Sequence, residues 1–585
     1  MTEGQDGASL PALDQFQRWS DLMGRGQQTM LEFMAREPAA AASPDPFGLM
    51  QTWAKVAAAA AAEPQKLADM QAKFVTDSIA LWQSFLTPGE TPPAAVADKR
   101  FKSASWAELP AFDLMRQSYL LASKYILDAT AGLDGLSERD KAKALFHTRQ
   151  FVDALSPSNY PLTNPEVLKA TIESGGENLL KGLDHMLGDL KAGRMKMTDE
   201  TAFEVGRNVA VTPGKVVFEN RLFQLIQYAP TTPDVYATPL VIFPPWINKF
   251  YILDLTAEKS FIRWSVEQGL TVFVVSWKNA DATLADATLD TYVGEGQILA
   301  IAKALEATGA EQTHVIGYCV AGTTLAATLA YLTAKGQAGK VATATFFTAQ
   351  VDFSDCGDLK VFVDDEQIAG ISKMTEAKGY LDGRAMATTF NMLRSNDLIW
   401  NYVVNNYMLG KDYLPFDLLY WNGDATNVPA KWHKAYLEDM YRDNKLIVPG
   451  GITVAGVPID LSTVKTPSYV QGGREDHIAP AASAYRITQA FAGPVRFVLA
   501  GSGHIAGVVN PPSQHKYQYW TNATLPPAFD DFLAGATEHK GSWWPDWIAW
   551  LAPQSGAKVP ARIPGTGPLQ AIEDAPGRYV KERVA

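Results

Sequence analysis

Three turns in this chain each follow a short apolar run and each carry a residue able to do chemistry: Gly317-Tyr-Cys319-Val-Ala-Gly322, Gly472-Gly-Arg-Glu-Asp476-His477 and Gly501-Ser-Gly-His504. The first has the layout of a nucleophile elbow, in which a strand turns sharply into a helix and leaves the middle side chain exposed at the apex. That turn brings the residues around the nucleophile almost into contact, so they must be small. Gly317 and Ala321 are expected to fill that role. Cysteine at the apex points to acyl transfer, because a thiolate is a strong nucleophile near neutral pH and forms a thioester.

His504 is expected to accept the Cys319 proton and later one from an incoming hydroxyl, with Asp476 fixing its tautomer and stabilising the imidazolium. A tetrahedral oxyanion needs two donors, expected from the Val320 N–H and from the Pro245-Trp-Ile-Asn248 turn, within which Ile247 is favoured. The order nucleophile, acid, histidine is that of an α/β-hydrolase.

Other candidates have plainer readings. Cys356, in Asp355-Cys-Gly-Asp358, has no strand before it and reads as a packing residue. His314 lies on the elbow strand and reads as structural. For His477, substrate contact and a loop role stand open side by side. His147, His185, His433, His515 and His539 belong to no motif, and Trp543-Trp-Pro-Asp-Trp547 reads either as a sticky surface or as core. There is no His-Glu-x-x-His and no paired Cys-x-x-Cys, so no metal site and no cofactor is expected.

Positioning these turns requires an α/β sheet. Strands are expected over Lys215–Glu219, Phe223–Tyr228, Leu240–Phe243, Leu270–Val275, His314–Ile316, Ser468–Gln471 and Val495–Leu499, with a helix over Thr323–Thr333. Parallel strands alternating with helices put their functional loops at the carboxyl ends. The aromatic-rich stretch 352–454 interrupts this grammar and reads as a cap or lid within a catalytic domain over 201–585. Residues 1–200 read as a helical N-terminal domain serving assembly, with helical runs at Leu13–Met34, Gln65–Phe85, Phe112–Ala131 and Pro165–Leu190. Glu37–Pro46 and Pro88–Ala97 read as linkers.

Composition sets the remaining bounds. At 585 residues more than one domain is expected, and 47% hydrophobic residues are ample for a large core. A net charge of −12 argues against nucleic acid as a partner, and an anionic substrate would then need a local set of donors. Two cysteines fit a reducing cytoplasm, and no secretory or membrane-spanning run is expected.

The blocks Gly-Tyr-Cys-Val-Ala-Gly (317–322), Pro-Pro-Trp-Ile-Asn-Lys-Phe-Tyr-Ile-Leu-Asp-Leu (244–255), Leu-Arg-Ser-Asn-Asp-Leu-Ile-Trp (393–400) and Gly-Arg-Glu-Asp-His-Ile-Ala-Pro (473–480) resemble those of class I polyhydroxyalkanoate synthases. The resemblance covers roughly residues 100 to 585 and departs at Ala321, where the family usually has glycine. It implies polymerisation of (R)-3-hydroxyacyl-CoA, chiefly 3-hydroxybutyryl-CoA, with release of coenzyme A. It further implies a homodimer in the cytoplasm at the surface of a polyester granule, with granule-associated proteins met through the N-terminal domain. It casts Cys319, Asp476 and His504 as a triad, and Asn248, Arg394 and His477 as coenzyme A contacts. A cysteine thioesterase or lactonase would share the triad and yield free acid. An inactive granule-structural protein would release no thiol.

Overall fold

The structure, a computed structural model, describes residues 49–87 and 97–584. The helix expected over Leu13–Met34, the linker Glu37–Pro46 and nearly all of Pro88–Ala97 lie outside them. Contacts divide the chain into two compact units: one holds the chain up to Asp199 together with Thr389–Leu414, the other Glu200–Thr388 and Pro415–Ala585.

The first unit is helical, built on Leu49–Ala62, Pro64–Leu86, Pro110–Ala131, Glu138–Ala154, Pro165–Glu173 and Glu177–Ala192. Proline sits in the first turn of three of these helices, where its missing N–H costs nothing. Ser137 and Asn164 accept backbone N–H groups as caps. The continuous run expected over Pro165–Leu190 breaks at Gly175 and Gly176, both at positive φ, giving two helices.

The segment Thr389–Leu414 is fastened to the last of them. Asn178 Nδ2 donates to the Met408 carbonyl at 2.7 Å and the Tyr407 hydroxyl to Asp189 at 2.7 Å. A Cβ on Gly182 would stand 1.8 Å from the Tyr407 carbonyl oxygen, so only glycine fits. The stretch 352–454, read from sequence as one insertion, is therefore split between the two units.

The second unit is organised on an eleven-stranded sheet. In chain order its strands are β1 (Gly214–Glu219), β2 (Phe223–Tyr228), β3 (Leu240–Phe243), β4 (Val272–Trp277), β5 (Thr313–Tyr318), β6 (Val341–Phe347), β7 (Ser468–Gly473), β8 (Val495–Ala500), β9 (Gln518–Thr521), β10 (Thr537–Lys540) and β11 (Glu573–Asp574). They lie side by side as β10-β9-β8-β7-β6-β5-β3-β4-β2-β1-β11. The central run from β8 to β4 is parallel, and the strands flanking it on both sides are antiparallel.

The chain leaves β3 in one direction for β4 and returns on the other side for β5, so strand order reverses beside the elbow strand. Crevices at such reversals are where open α/β sheets bind ligands. Buried apolar clusters cover both faces, one including Val241, Val315, Leu325 and Phe346, the other Ile242, Ile316, Phe347 and Trp547. The tryptophans at 543, 544 and 547 are core. Among the described residues, no helix is long and apolar enough to cross a membrane.

Candidate active site

β5 ends at Tyr318, and the helix Val320–Ala334 begins one residue past Cys319, which caps it at φ 53°, ψ −126°. A side chain with a Cβ is strained there by about 1–3 kcal/mol. The surroundings impose that conformation. The Cys319 N–H donates to the Phe347 carbonyl on β6 at 2.8 Å, and its carbonyl accepts from Gly322 at 2.8 Å.

The close approach that the turn demands is made by Gly317 and Gly322. A Cβ on Gly317 would lie 2.6 Å from the Gly322 Cα, and one on Gly322 would lie 2.4 Å from the Ala349 Cβ. This corrects the expectation that Ala321 is the small partner. Ala321 is buried, and its carbonyl accepts from Gln297 Nε2 at 3.0 Å. Cys319 itself is partly exposed and touches both apolar clusters, as befits a residue on the rim of the sheet.

Asp476 and His504 arrive on the loops after β7 and β8. The parallel pairing of these strands continues past their ends, with the Arg474 N–H on the Ala500 carbonyl and the Glu475 N–H on the Ser502 carbonyl, so the two loops leave the sheet in register. Asp476 Oδ1 accepts the N–H groups of Ile478 and Ala479, each at 2.9 Å. Its other oxygen, Oδ2, meets His504 Nδ1 at 2.7 Å. Both carboxylate oxygens are thus committed, which fixes the ring and leaves Nε2 for the sulfur.

The His504 side chain is only 10% exposed and that of Asp476 is fully buried. Burial by itself would depress the imidazole pKa. The Asp476 carboxylate and the Cys319 sulfur beside it instead hold it well above the ordinary histidine value. The structure therefore brings the three together, Asp476 hydrogen-bonded to His504 and the Cys319 sulfur close enough to raise the ring's proton affinity.

The two expected oxyanion donors flank the elbow. Val320 is the first residue of the elbow helix, where an N–H has no partner within the helix. Ile247 follows β3, whose last residue, Phe243, pairs with Gly317, so the two carboxyl ends are level. The Ile247 loop is held by Trp246, whose indole donates to Thr324 on the elbow helix at 3.4 Å. Asn248, next in chain, is partly buried, and its N–H donates to the Pro245 carbonyl at 3.3 Å.

His477 adjoins Asp476, and its carbonyl accepts the Asp358 N–H at 3.4 Å. Arg394 belongs to the helical unit, where it is exposed and paired with Asp397. Cys356 is fully buried, and burial pushes its thiol up to about 11. His314 is likewise structural: its ring nitrogens meet Thr343 and Ser555, and burial lowers it to about 4.

Some residues had not been singled out from sequence for the supporting part they play here. The Tyr318 hydroxyl donates to the His504 carbonyl at 3.0 Å. Trp543 and Trp544 donate to the carbonyls of Gly507 and Val508, fastening the chain just beyond His504. Tyr436 and Tyr441 are buried, with phenols driven well above their ordinary values by burial, reinforced for Tyr436 by Cys319 and for Tyr441 by Tyr436 and both cysteines; both stay neutral. Position beside the nucleophile could have flagged Tyr318. Nothing local in sequence flags the rest.

Comparison with known proteins accords with this arrangement. Residues 97–265 match the model of the poly-beta-hydroxybutyrate polymerase (PhaC) N-terminus, and residues 265–511 that of the alpha/beta hydrolase fold. A poly(3-hydroxyalkanoate) polymerase of Methylorubrum extorquens is 48% identical over 91% of this chain and 88% of its own length. The poly(3-hydroxyalkanoate) polymerase subunit PhaC of Cupriavidus necator is 46% identical over 89% of each chain. Among solved structures, a meta-cleavage product hydrolase from Pseudomonas fluorescens aligns at TM-score 0.29 and 13% identity, covering 51% of this chain and 93% of its own. Identity at this level, sustained over nearly the full length of both relatives, places the chain in the poly(3-hydroxyalkanoate) polymerase family of acyltransferases.

Proposed function

We propose that this polymerase works through a Cys319–His504–Asp476 triad on (R)-3-hydroxyacyl-CoA, with 3-hydroxybutyryl-CoA as the preferred unit. The observation that carries the reading is the Asp476–His504 bond of 2.7 Å on a ring whose proton affinity is also raised by the Cys319 sulfur.

His504 takes the Cys319 proton as the sulfur attacks the acyl carbonyl carbon. The oxyanion that forms is held by the N–H groups of Val320 and Ile247. As it collapses, the bond from carbonyl carbon to the coenzyme A sulfur breaks, and His504 returns the proton to that sulfur. Exchange of one thioester for another is nearly isoenergetic, so the enzyme-bound acyl group can still acylate an alcohol. The hydroxyl of the next unit then gives its proton to His504 and attacks the Cys319 thioester. The sulfur leaves and takes back the proton from His504, and the chain, longer by one ester, now ends in the incoming unit's coenzyme A thioester, from which the first step returns it to Cys319 and releases that coenzyme A. The substrate arrives already activated, so the scheme draws on no cofactor.

Polymer forms only if water is kept from that thioester. Trp246, Trp432, Tyr436, Tyr441 and Phe353 form a contiguous aromatic wall, with ring centroids between 4.9 and 6.1 Å apart. The phenols of Tyr436 and Tyr441 are buried and feel the charge of the Cys319 sulfur, and a wall of this kind would help to keep water from the thioester. Asn248 and His477, on loops at the same edge of the sheet, are assigned to coenzyme A, as is Arg394 on the strength of its motif. A homodimer working at a cytoplasmic granule surface completes the reading. Incubation with (R)-3-hydroxybutyryl-CoA, following free thiol and turbidity together, tests it. Thiol with insoluble polyester is expected, whereas thiol with soluble 3-hydroxybutyrate would make the protein a thioesterase.

A further inference from the structure

Lys249 lies two residues beyond Ile247 and is buried. Its ammonium pairs with Asp424 Oδ1 at 3.0 Å, the two side chains being 4% and 3% exposed. It also donates to the Val580 carbonyl at 2.8 Å and to the carbonyl of Glu582. All three of its N–H groups are therefore spent on protein acceptors, two of them in the C-terminal tail.

Asp424 ends the helix Asp417–Gly423 and accepts the Tyr251 hydroxyl on its second oxygen at 2.9 Å. From the same helix, the Trp421 indole donates to the Lys249 carbonyl at 2.8 Å. The tail is tied back as well, Arg583 meeting the Tyr420 hydroxyl and stacking over its ring. On the other flank of Ile247 and Asn248, Trp246 is enclosed by Tyr292, Trp432 and Tyr436. The two residues that face the reaction are thus the short, partly exposed span between two buried anchors, one aromatic and one ionic.

We propose that Lys249 is a positioning residue, which, clamped between Asp424 and the C-terminal tail, sets the Ile247 N–H against the elbow. The proposal rests on the reading of Cys319 as the nucleophile whose oxyanion the Ile247 turn holds. A buried ion pair of this kind adds little net stability over an apolar pair of the same volume, whereas its directed bonds fix one loop conformation. Placement to within about an ångström is worth roughly a hundredfold in rate.

The test is Lys249→Met in the full chain, assayed with (R)-3-hydroxybutyryl-CoA for thiol release and separately with iodoacetamide for alkylation of Cys319. Alkylation needs the sulfur and His504 but no oxyanion donor. A roughly tenfold to hundredfold fall in kcat is expected, with KM within about threefold and alkylation within about twofold of wild type. Asp424→Asn should move the same way by less. If Lys249→Met fails to fold, Lys249→Met with Asp424→Leu removes both buried charges and is judged on the same readouts. A kcat within about twofold of wild type overturns the proposal, and so does alkylation that falls in step with kcat, since the whole site would then have collapsed. Failure of the underlying reading looks different: thiol release would persist in Cys319→Ala.

Discussion

Cys319 and Cys356 share a residue type and a place at the start of a helical segment, and differ in burial, backbone conformation and neighbours. Each cysteine occupies the N-cap of a helical segment, Cys319 before Val320–Ala334 and Cys356 before the short turn Gly357–Phe362. Cys356 is fully buried at an ordinary negative φ, and burial pushes its thiol up to about 11. Cys319 is partly exposed at positive φ and lies beside His504, whose proton affinity it helps to raise. Reactivity is therefore a property of the turn and of the base across from it. Burial without a base makes the same side chain a small apolar filler.

Exchanging the fates of the two thiols would break this comparison most directly. Cys319→Ala should cut coenzyme A release by at least about 10⁴-fold with the fold retained, while Cys356→Ser stays within about threefold. The opposite pattern in a thiol-release assay would sink the elbow assignment. His504→Gln should cost about 10³- to 10⁴-fold and Asp476→Asn less, because the base acts directly while the acid orients and stabilises.

The pH behaviour of Asp476→Asn sharpens the point. His504 is held above its ordinary value by Asp476 and Cys319, so the stability gained from its charged form is complete at low pH and lost as pH rises through that elevated value. Without the carboxylate, burial prevails and the ring gives up its proton at lower pH. Iodoacetamide alkylation of Cys319 near pH 7 should then slow in Asp476→Asn, and an unchanged profile would mean that the carboxylate does not control the ring. In the folded wild type, alkylation should favour Cys319 over Cys356 by about a hundredfold or more, with Cys356 labelled only on unfolding.

Arg394→Ala should raise KM for hydroxyacyl-CoA about tenfold, with a smaller change in kcat, and Arg394→Lys should recover only part because ammonium cannot bind phosphate bidentately. An unchanged KM in steady-state kinetics would remove Arg394 from substrate binding. The smallest effects concern the crossing itself. Gly322→Ala should destabilise by about 1–3 kcal/mol through its clash with Ala349, and Ala321→Gly by under about 1 kcal/mol through helix propensity alone. Thermal unfolding ranks the two, and the reverse order would return the crossing to Ala321.

What sequence disclosed and what it hid follow from the range of the interactions involved. Strands β2 and β3 were read at their true bounds because their ends are marked locally, and the three loop motifs stood out because each follows such a strand. β6 went unread: its Thr343 and Thr345 are fully buried polar residues that disguise a core strand, and His314 and Trp547 satisfy them from elsewhere in the chain. β9 and β10, the last two strands at one end of the sheet, are largely unburied and weakly patterned. The Gly317–Gly322 crossing was displaced by one residue because the contact is made by the returning helical turn, which linear spacing only approximates. The two-unit partition of 352–454 depends on Asn178, Gly182 and Asp189, which lie far from it in sequence and carry no composition signal.

The bond from the Tyr318 hydroxyl to the His504 carbonyl spans 186 residues of chain, yet it joins the residue just before the proposed nucleophile to the residue proposed to serve it. The proton acceptor consequently travels with the elbow. Each loading of the sulfur and each transfer of its acyl group would then start from the same spacing of base and sulfur. A catalyst that loads and unloads one sulfur many times over gains from such a tie, because each cycle begins from the alignment in which the last one ended.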